Sequence, residues 1–178
     1  MGLCNSSNQV VPFETTNSSS SIDQADIQAF RRDTLKYHNN YRKMHQAPPL
    51  INDPELDKDA QAYAEKMAKS GNFAHAPATE RNGAGENLFA SGYKNVDAEI
   101  LVDLCKEATD CFYNEIKDYD FKKPGFSMST GHFTQVVWCG STKLGVGIAV
   151  SDKGFYMVAR YAPAGNMMGA FETNVLPK

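Results

Sequence analysis

From Leu144 to Val150 the chain alternates bulky and small residues. Leu144, Val146, Ile148 and Val150 share one parity; Gly145, Gly147 and Ala149 share the other. Period-two alternation marks a β-strand. The bulky side has to be buried, and the glycine side leaves room for a helix to approach the backbone closely. Asp152-Lys153-Gly154 supplies a hairpin turn, and Phe155 to Tyr161 returns as the partner strand. A strand that is covered on both faces belongs inside a layered fold.

The helices to cover it lie earlier in the chain. Ile27, Phe30, Thr34, Tyr37, Tyr41 and Met44 recur at three- and four-residue steps, which predicts a helix from about 23 to 45, ended by Ala47-Pro48-Pro49. Asp53 as N-cap and Pro54 at the first helical position begin a second helix. Its inner face is Leu56, Ala60, Tyr63, Ala64 and Met67, and Ser70-Gly71-Asn72 stops it. A short strand is expected over 83–89 and a third helix over about 97–119. Helices first and a compact antiparallel sheet later predict an α+β fold with helices on both faces. The 178 residues suit one domain with a sizeable core, assigned to 22–178. Residues 1–21 are polar and Ser-rich, and read as a flexible tether.

A net charge of −3 argues against nucleic-acid binding, which needs Lys and Arg against phosphate. The N-terminus Met1-Gly2-Leu3-Cys4-Asn5-Ser6 lacks the basic start and apolar segment of a secretion signal. It fits the myristoylation pattern, with Gly2 as acceptor and Ser6 at the hydroxyl position. One myristoyl chain anchors only marginally, so Cys4 is read as the site of a second, palmitoyl chain. Without a secretion signal, the cysteines (Cys4, Cys105, Cys111 and Cys139) are read as thiols in a reducing compartment. No pair of them has zinc-site spacing.

Of the four histidines, His38 reads as a buried structural residue inside the first helix, and His45 as a solvated or capping residue near its end. His75 and His132 sit in a loop and at an element edge. They are too far apart for a local metal motif, so any shared site must be built by the fold. Glu86 and Glu115 could join them, either as carboxylates bonded to rings that hold Zn²⁺ or another divalent ion, or as general acid and base. No nucleophile elbow, dinucleotide fingerprint or P-loop appears, so no organic cofactor is expected. Residues 119–126 carry Tyr119, Phe121 and Phe126 on a Pro-Gly loop. That loop is either pinned to the core by its rings or forms an apolar lip that contacts lipid or sterol.

Four segments resemble one family. Gly131 to Trp138 reads GHFTQVVW; His38-Asn39-x-Tyr41-Arg42, Gly85-Glu86-Asn87-Leu88 and Tyr161-x-Pro163-x-Gly165-Asn166 accompany it. In this order they resemble the signatures of the CAP superfamily (cysteine-rich secretory, antigen 5 and pathogenesis-related proteins), and of its intracellular branch. The resemblance implies a three-layer α-β-α sandwich with a central antiparallel sheet. It implies a cleft tetrad of His75, Glu86, Glu115 and His132, with His75 and His132 as the metal pair. It also implies that His132 lies on a short helix; periodicity left helix or strand open, and Val136-Val137 favoured strand. Ala159 stands where secreted members often carry Cys. Gly92, with Ser91 adjacent, stands where an intracellular relative carries a serine, which weakens a serine-hydrolase reading.

The resulting expectation is a non-enzymatic protein on the cytosolic face of a Golgi or plasma membrane, binding membrane lipid, sterol or fatty acid. The alternatives are a scaffold that pairs with itself or a protein partner, and a metal- or serine-dependent hydrolase.

Overall fold

The computed structural model describes residues 22–178 in full, together with the backbone of Cys4 and Asn5. The elements are β1 (Cys4–Asn5), α1 (Gln24–Met44), β2 (Ile51–Asn52), α2 (Pro54–Ser70), β3 (Gly85–Ser91), α3 (Ala98–Asn114), α4 (Gly131–Val137), β4 (Lys143–Ser151), β5 (Gly154–Ala162) and α5 (Phe171–Asn174). The sheet order is β1-β3-β5-β4-β2. The central three strands are antiparallel as expected, but the two-residue edge strands pair in parallel, so the sheet is mixed.

The helix starts follow the chemistry read from the sequence. Asp23 and Asp26 form a reciprocal capping box on α1. The Asp53 carboxylate accepts from the N–H groups of Glu55 and Leu56, and Gly71 closes α2 in the left-handed conformation at φ 72°. The expected third helix ends earlier than 119: α3 stops at Asn114 and tightens into a 3₁₀ turn over Glu115–Asp118.

Strand alternation sorts the core into two layers. Phe89, Leu144, Val146, Ile148, Phe155, Met157, Ala159 and Tyr161 meet α1, α3 and α4. Leu88, Tyr156 and Val158 meet Ala60, Ala64 and Met67 of α2. α2 lies against Gly145 and Gly147, as the small-residue parity predicts. Its side chains also close the free edge of β4. Asp57 accepts from the Val146 N–H at 2.7 Å, and Gln61 bonds both the N–H and the C=O of Ile148. An open strand edge is thereby covered.

Several expectations change. The buried stripe of α1 is Phe30, Thr34, His38 and Arg42, while Met44 is 43% exposed. The apolar pattern missed it because half the stripe is basic. His38 is buried as expected. His45 is the C-cap of α1, its N–H donating to the Arg42 carbonyl at 3.0 Å, but it is buried rather than solvated, with Nδ1 2.6 Å from the Leu176 carbonyl and Nε2 3.0 Å from the Tyr113 hydroxyl. The segment 131–137 is a helix, as the family resemblance implies and against the strand that Val136-Val137 favoured. All seven of its residues are buried, so it has no polar face for periodicity to reveal.

Cys105 and Cys139 are free, but Cys111 is disulfide-bonded, so the thiol reading fails there. Cysteine pairing depends on distances set by the fold, not on spacing along the chain. The argument for a reducing compartment loses that support. Gly2 and the side chain of Cys4, the two expected acylation sites, lie outside the described residues. Among the described residues no helix is long and apolar enough to cross a membrane.

Candidate functional site: two histidine–carboxylate dyads at β3

β3 organises the site through two consecutive residues. Glu86 shares its face of the sheet with Leu88, toward α2; Asn87 shares the opposite face with Phe89. The side chain of Glu86 is fully buried. Its Oε1 lies 2.5 Å from Nδ1 of His75 and accepts the N–H of Ala76 at 3.1 Å. The loop holding His75 is itself tied to α2, since the Tyr63 hydroxyl donates to the Ala74 carbonyl at 2.7 Å.

A buried carboxylate needs a counter-charge. Arg160 is opposite Glu86 in the β3–β5 register and puts Nη1 2.6 Å from Oε2. The Arg160 Nε lies 3.3 Å from Asp59, and its guanidinium sits 5.3 Å over the Tyr63 ring. Burial pulls the Arg160 pKa down, and the carboxylates of Glu86 and Asp59 work against that.

The second dyad forms at the start of α4. Thr130 makes no side-chain cap there. Glu115 does this work from the 3₁₀ turn: its Oε2 accepts from the N–H groups of His132 at 2.8 Å and Phe133 at 3.1 Å. A carboxylate at a helix start satisfies orphan donors and the dipole together. Its Oε1 lies 2.7 Å from Nδ1 of His132, whose ring stacks on Phe112.

The two dyads are joined through Asn87. Its amide donates to the His132 carbonyl at 3.1 Å and to the Tyr161 hydroxyl at 3.1 Å. The Tyr161 hydroxyl in turn meets His38 Nε2 at 2.8 Å, and His38 Nδ1 meets the Thr34 carbonyl at 2.9 Å. A carbonyl only accepts, so Nδ1 of His38 carries the proton and Nε2 accepts from Tyr161. Burial lowers the His38 pKa to about 4, which keeps the ring neutral.

The same reasoning applies to the dyads. Each Nδ1 faces a carboxylate and donates to it, so in the neutral ring each Nε2 presents a bare lone pair. Nε2 of His75 and Nε2 of His132 are both buried and without a hydrogen-bond partner. Among the described residues no group of three or more His, Cys, Asp or Glu side chains is arranged to hold a metal. The donors offered are therefore two imidazoles. Among the described residues no serine, threonine or cysteine side chain bonds to either ring, and Ser91 is 5% exposed.

All four expected tetrad residues thus take part, as two pairs. Arg160, Asp59 and Asn87 were missed. A charged residue inside the apolar strand run 155–161 was the available signal for Arg160. In the 119–126 loop, Tyr119 is 8% exposed and Phe121 half-buried, both in ring contact with Phe133; only Phe126, at 40%, faces outward. Two of the three rings expected at a lipid-contacting lip instead pin the loop to the core.

The fold and the dyads define a CAP domain. The profile of the cysteine-rich secretory protein family matches residues 35–161, and the chain belongs to that family. The human Golgi-associated plant pathogenesis-related protein 1 is 44% identical over 151 residues, covering 83% of this chain and 93% of that protein. Protein PRY2 of Saccharomyces cerevisiae is 37% identical over 151 residues, covering 83% of this chain and 41% of its own length. Among solved structures, NaASP2 with Zn²⁺ superimposes with a TM-score of 0.70 at 26% identity, over 88% of this chain and 90% of that one.

Proposed function

We propose that this is a non-enzymatic CAP-domain protein whose His75 and His132 share one Zn²⁺ or similar divalent ion through their Nε2 atoms. The observation that carries this reading is the pair of buried, unpartnered Nε2 atoms, each on a ring oriented by a carboxylate. Leaving a buried polar atom unpaired costs about 1–3 kcal/mol, and a metal would remove that cost twice. Imidazole ligands backed by carboxylates suit zinc, with the remaining positions open to water or a ligand. The zinc structure of NaASP2 supports the choice of metal. When bound, such an ion supplies a Lewis-acidic point in the cleft. Without an activated nucleophile nearby, its role is to bind rather than to turn over substrate. Calorimetric titration with Zn²⁺ should show one site per chain. At a hundredfold excess over Kd the ion should add about 2.7 kcal/mol of stability. His75→Ala and His132→Ala should each abolish the heat; binding that survives both substitutions rules the site out.

A second reading concerns lipid. Phe126 is 40% exposed and Met128 64%, on the loop that also carries exposed Lys122 and Lys123. Asn166 donates to the Gly131 carbonyl at 2.9 Å, which brings Met167 and Met168, 58% and 80% exposed, to the same end of α4. Apolar side chains ringed by lysine suit the surface of an anionic bilayer. Flotation with vesicles of phosphatidylcholine and phosphatidylserine should recover the protein. The double substitution Phe126→Ser with Met128→Ser should cut the bound fraction about tenfold, from the loss of apolar contact area. Equal recovery of both proteins would end this reading.

A further inference from the structure

On the α2 side of the sheet, a cavity of about 760 Å³ opens between the first turns of α2, residues 81–84 and the strand ends at Lys143 and Ala162. None of the four tetrad residues lines it. Leu56, Ala84, Ala162 and Pro163 give it apolar walls. Its volume is in the range of small-molecule sites, roughly 300–1,000 Å³.

Most of the charges around it are paired. Lys143 meets Asp53 at 2.8 Å, and Asp59 shares Arg160, at 3.3 Å, with Glu86. Glu55, Lys58 and Arg81 complete the charged lining. Among the described residues the Arg81 guanidinium makes no hydrogen bond or ion pair, and its Nε is shut off from solvent without a partner. Arg81 also lies near enough to Arg160 to work against that residue's charged form. A buried guanidinium donor left unpaired is costly, and the partner it fits is a planar or tetrahedral oxyanion.

We infer that this cavity binds a small organic anion, a carboxylate or phosphate on an apolar stem, with Arg81 gripping the anionic head. The head pairs with the Arg81 guanidinium, which has no anionic partner among the described residues. The stem lies against Leu56, Ala84, Ala162 and Pro163, where a bare ion would leave most of the volume unfilled. Lys58, exposed at the rim, adds attraction but no fixed geometry. The inference is independent of any metal at His75 and His132.

The test is an amide-shift titration of the full ¹⁵N-labelled chain with hexanoate, hexyl phosphate, hexanol and inorganic phosphate. Hexanoate or hexyl phosphate should give saturable shifts centred on residues 55–62, 81–84 and 142–143. Whichever binds tighter identifies the head group. Hexanol lacks the charge and inorganic phosphate lacks the stem, so each should bind at least about tenfold more weakly. Arg81→Gln should weaken binding about tenfold or more with an unchanged melting temperature. Ala62→Trp, which fills the cavity from an exposed position on α2 and keeps Arg81, should abolish it. The inference is overturned by any of three results: no saturable shift up to about 10 mM of either amphiphile, an Arg81→Gln protein that binds as the parent does, or inorganic phosphate binding as tightly as hexyl phosphate. Should Arg81→Gln lower the melting temperature, Ala62→Trp decides: unchanged binding there sinks the site.

Discussion

Arg42→Ala is expected to cost about 3–5 kcal/mol, a large part of the stability of a domain this size. Arg42 is fully buried on α1, and among the described residues no carboxylate neutralises it. Its Nε donates to the Pro48 carbonyl at 2.8 Å. Nη1 donates to Val136 at 3.0 Å and Trp138 at 2.9 Å, and Nη2 to Ser141 at 2.8 Å. Four carbonyl dipoles, two of them at the end of α4, stand in for a counter-ion. Burial lowers its pKa to about 10, so it remains a cation at neutral pH. Truncation takes the side-chain donor from four carbonyls, of which Trp138 keeps the Ser141 N–H at 3.1 Å, and detaches α1 from the segment that presents His132. Arg42→Lys should recover little, because one ammonium cannot fork to carbonyls on three sides. Urea unfolding checks both variants. A loss below about 1 kcal/mol would mean that water takes over the carbonyls and that the clamp is dispensable.

Gly147→Ala is expected to destabilise by about 3 kcal/mol, the upper range for overpacking a core. An added Cβ would stand 2.2 Å from the Gln61 nitrogen and 2.3 Å from the Ala60 carbonyl carbon. These are helix backbone atoms, so α2 has to move as a unit. Its movement breaks the bonds from Gln61 to Ile148 and from Asp57 to Val146, and reopens the β4 edge. It also shifts Asp59, which holds the Arg160 that holds Glu86. Gly145 sits as tightly, 2.2 Å from the Leu56 carbonyl carbon, whereas among the described residues Gly92 has nothing within 4 Å. Gly92→Ala is therefore the control and should leave the unfolding midpoint unchanged. If Gly147→Ala unfolds at the same urea concentration as Gly92→Ala, the close approach of α2 is not needed for stability.

The two cases differ in how far the sequence shows them. The glycine parity is a local pattern: two residues apart along a strand means the same face. It therefore predicted a helix pressed against β4 before any fold was known. The Asp53-Pro54 start and Gly71 stop of α2 were legible for the same reason. Arg42 carried no such signal. A basic residue in a helix is ordinarily read as solvated, and its burial depends on carbonyls 94 to 99 residues away. The burial of His45 carried no signal either, its partners lying 68 and 131 residues further on.

The site divides along the same line. The sequence alone determined the element types with strong periodicity, the caps, the packing face of β4 and the family motifs that contain Glu86 and His132, whose resemblance implies His75 and Glu115 as their partners. These rest on side-chain identity and on spacings of two to four residues, which local geometry converts directly into structure. Only the tertiary structure decided that the four residues act as two dyads, that both bare ring nitrogens are Nε2, and that Arg160 balances Glu86. It alone decided that 131–137 is a helix, that Tyr119 and Phe121 are core, that Cys111 is bonded and that Arg81 is left unpaired beside a cavity. Each of these depends on which distant groups the sheet register and helix packing bring within about 3 Å, and no local spacing encodes that distance.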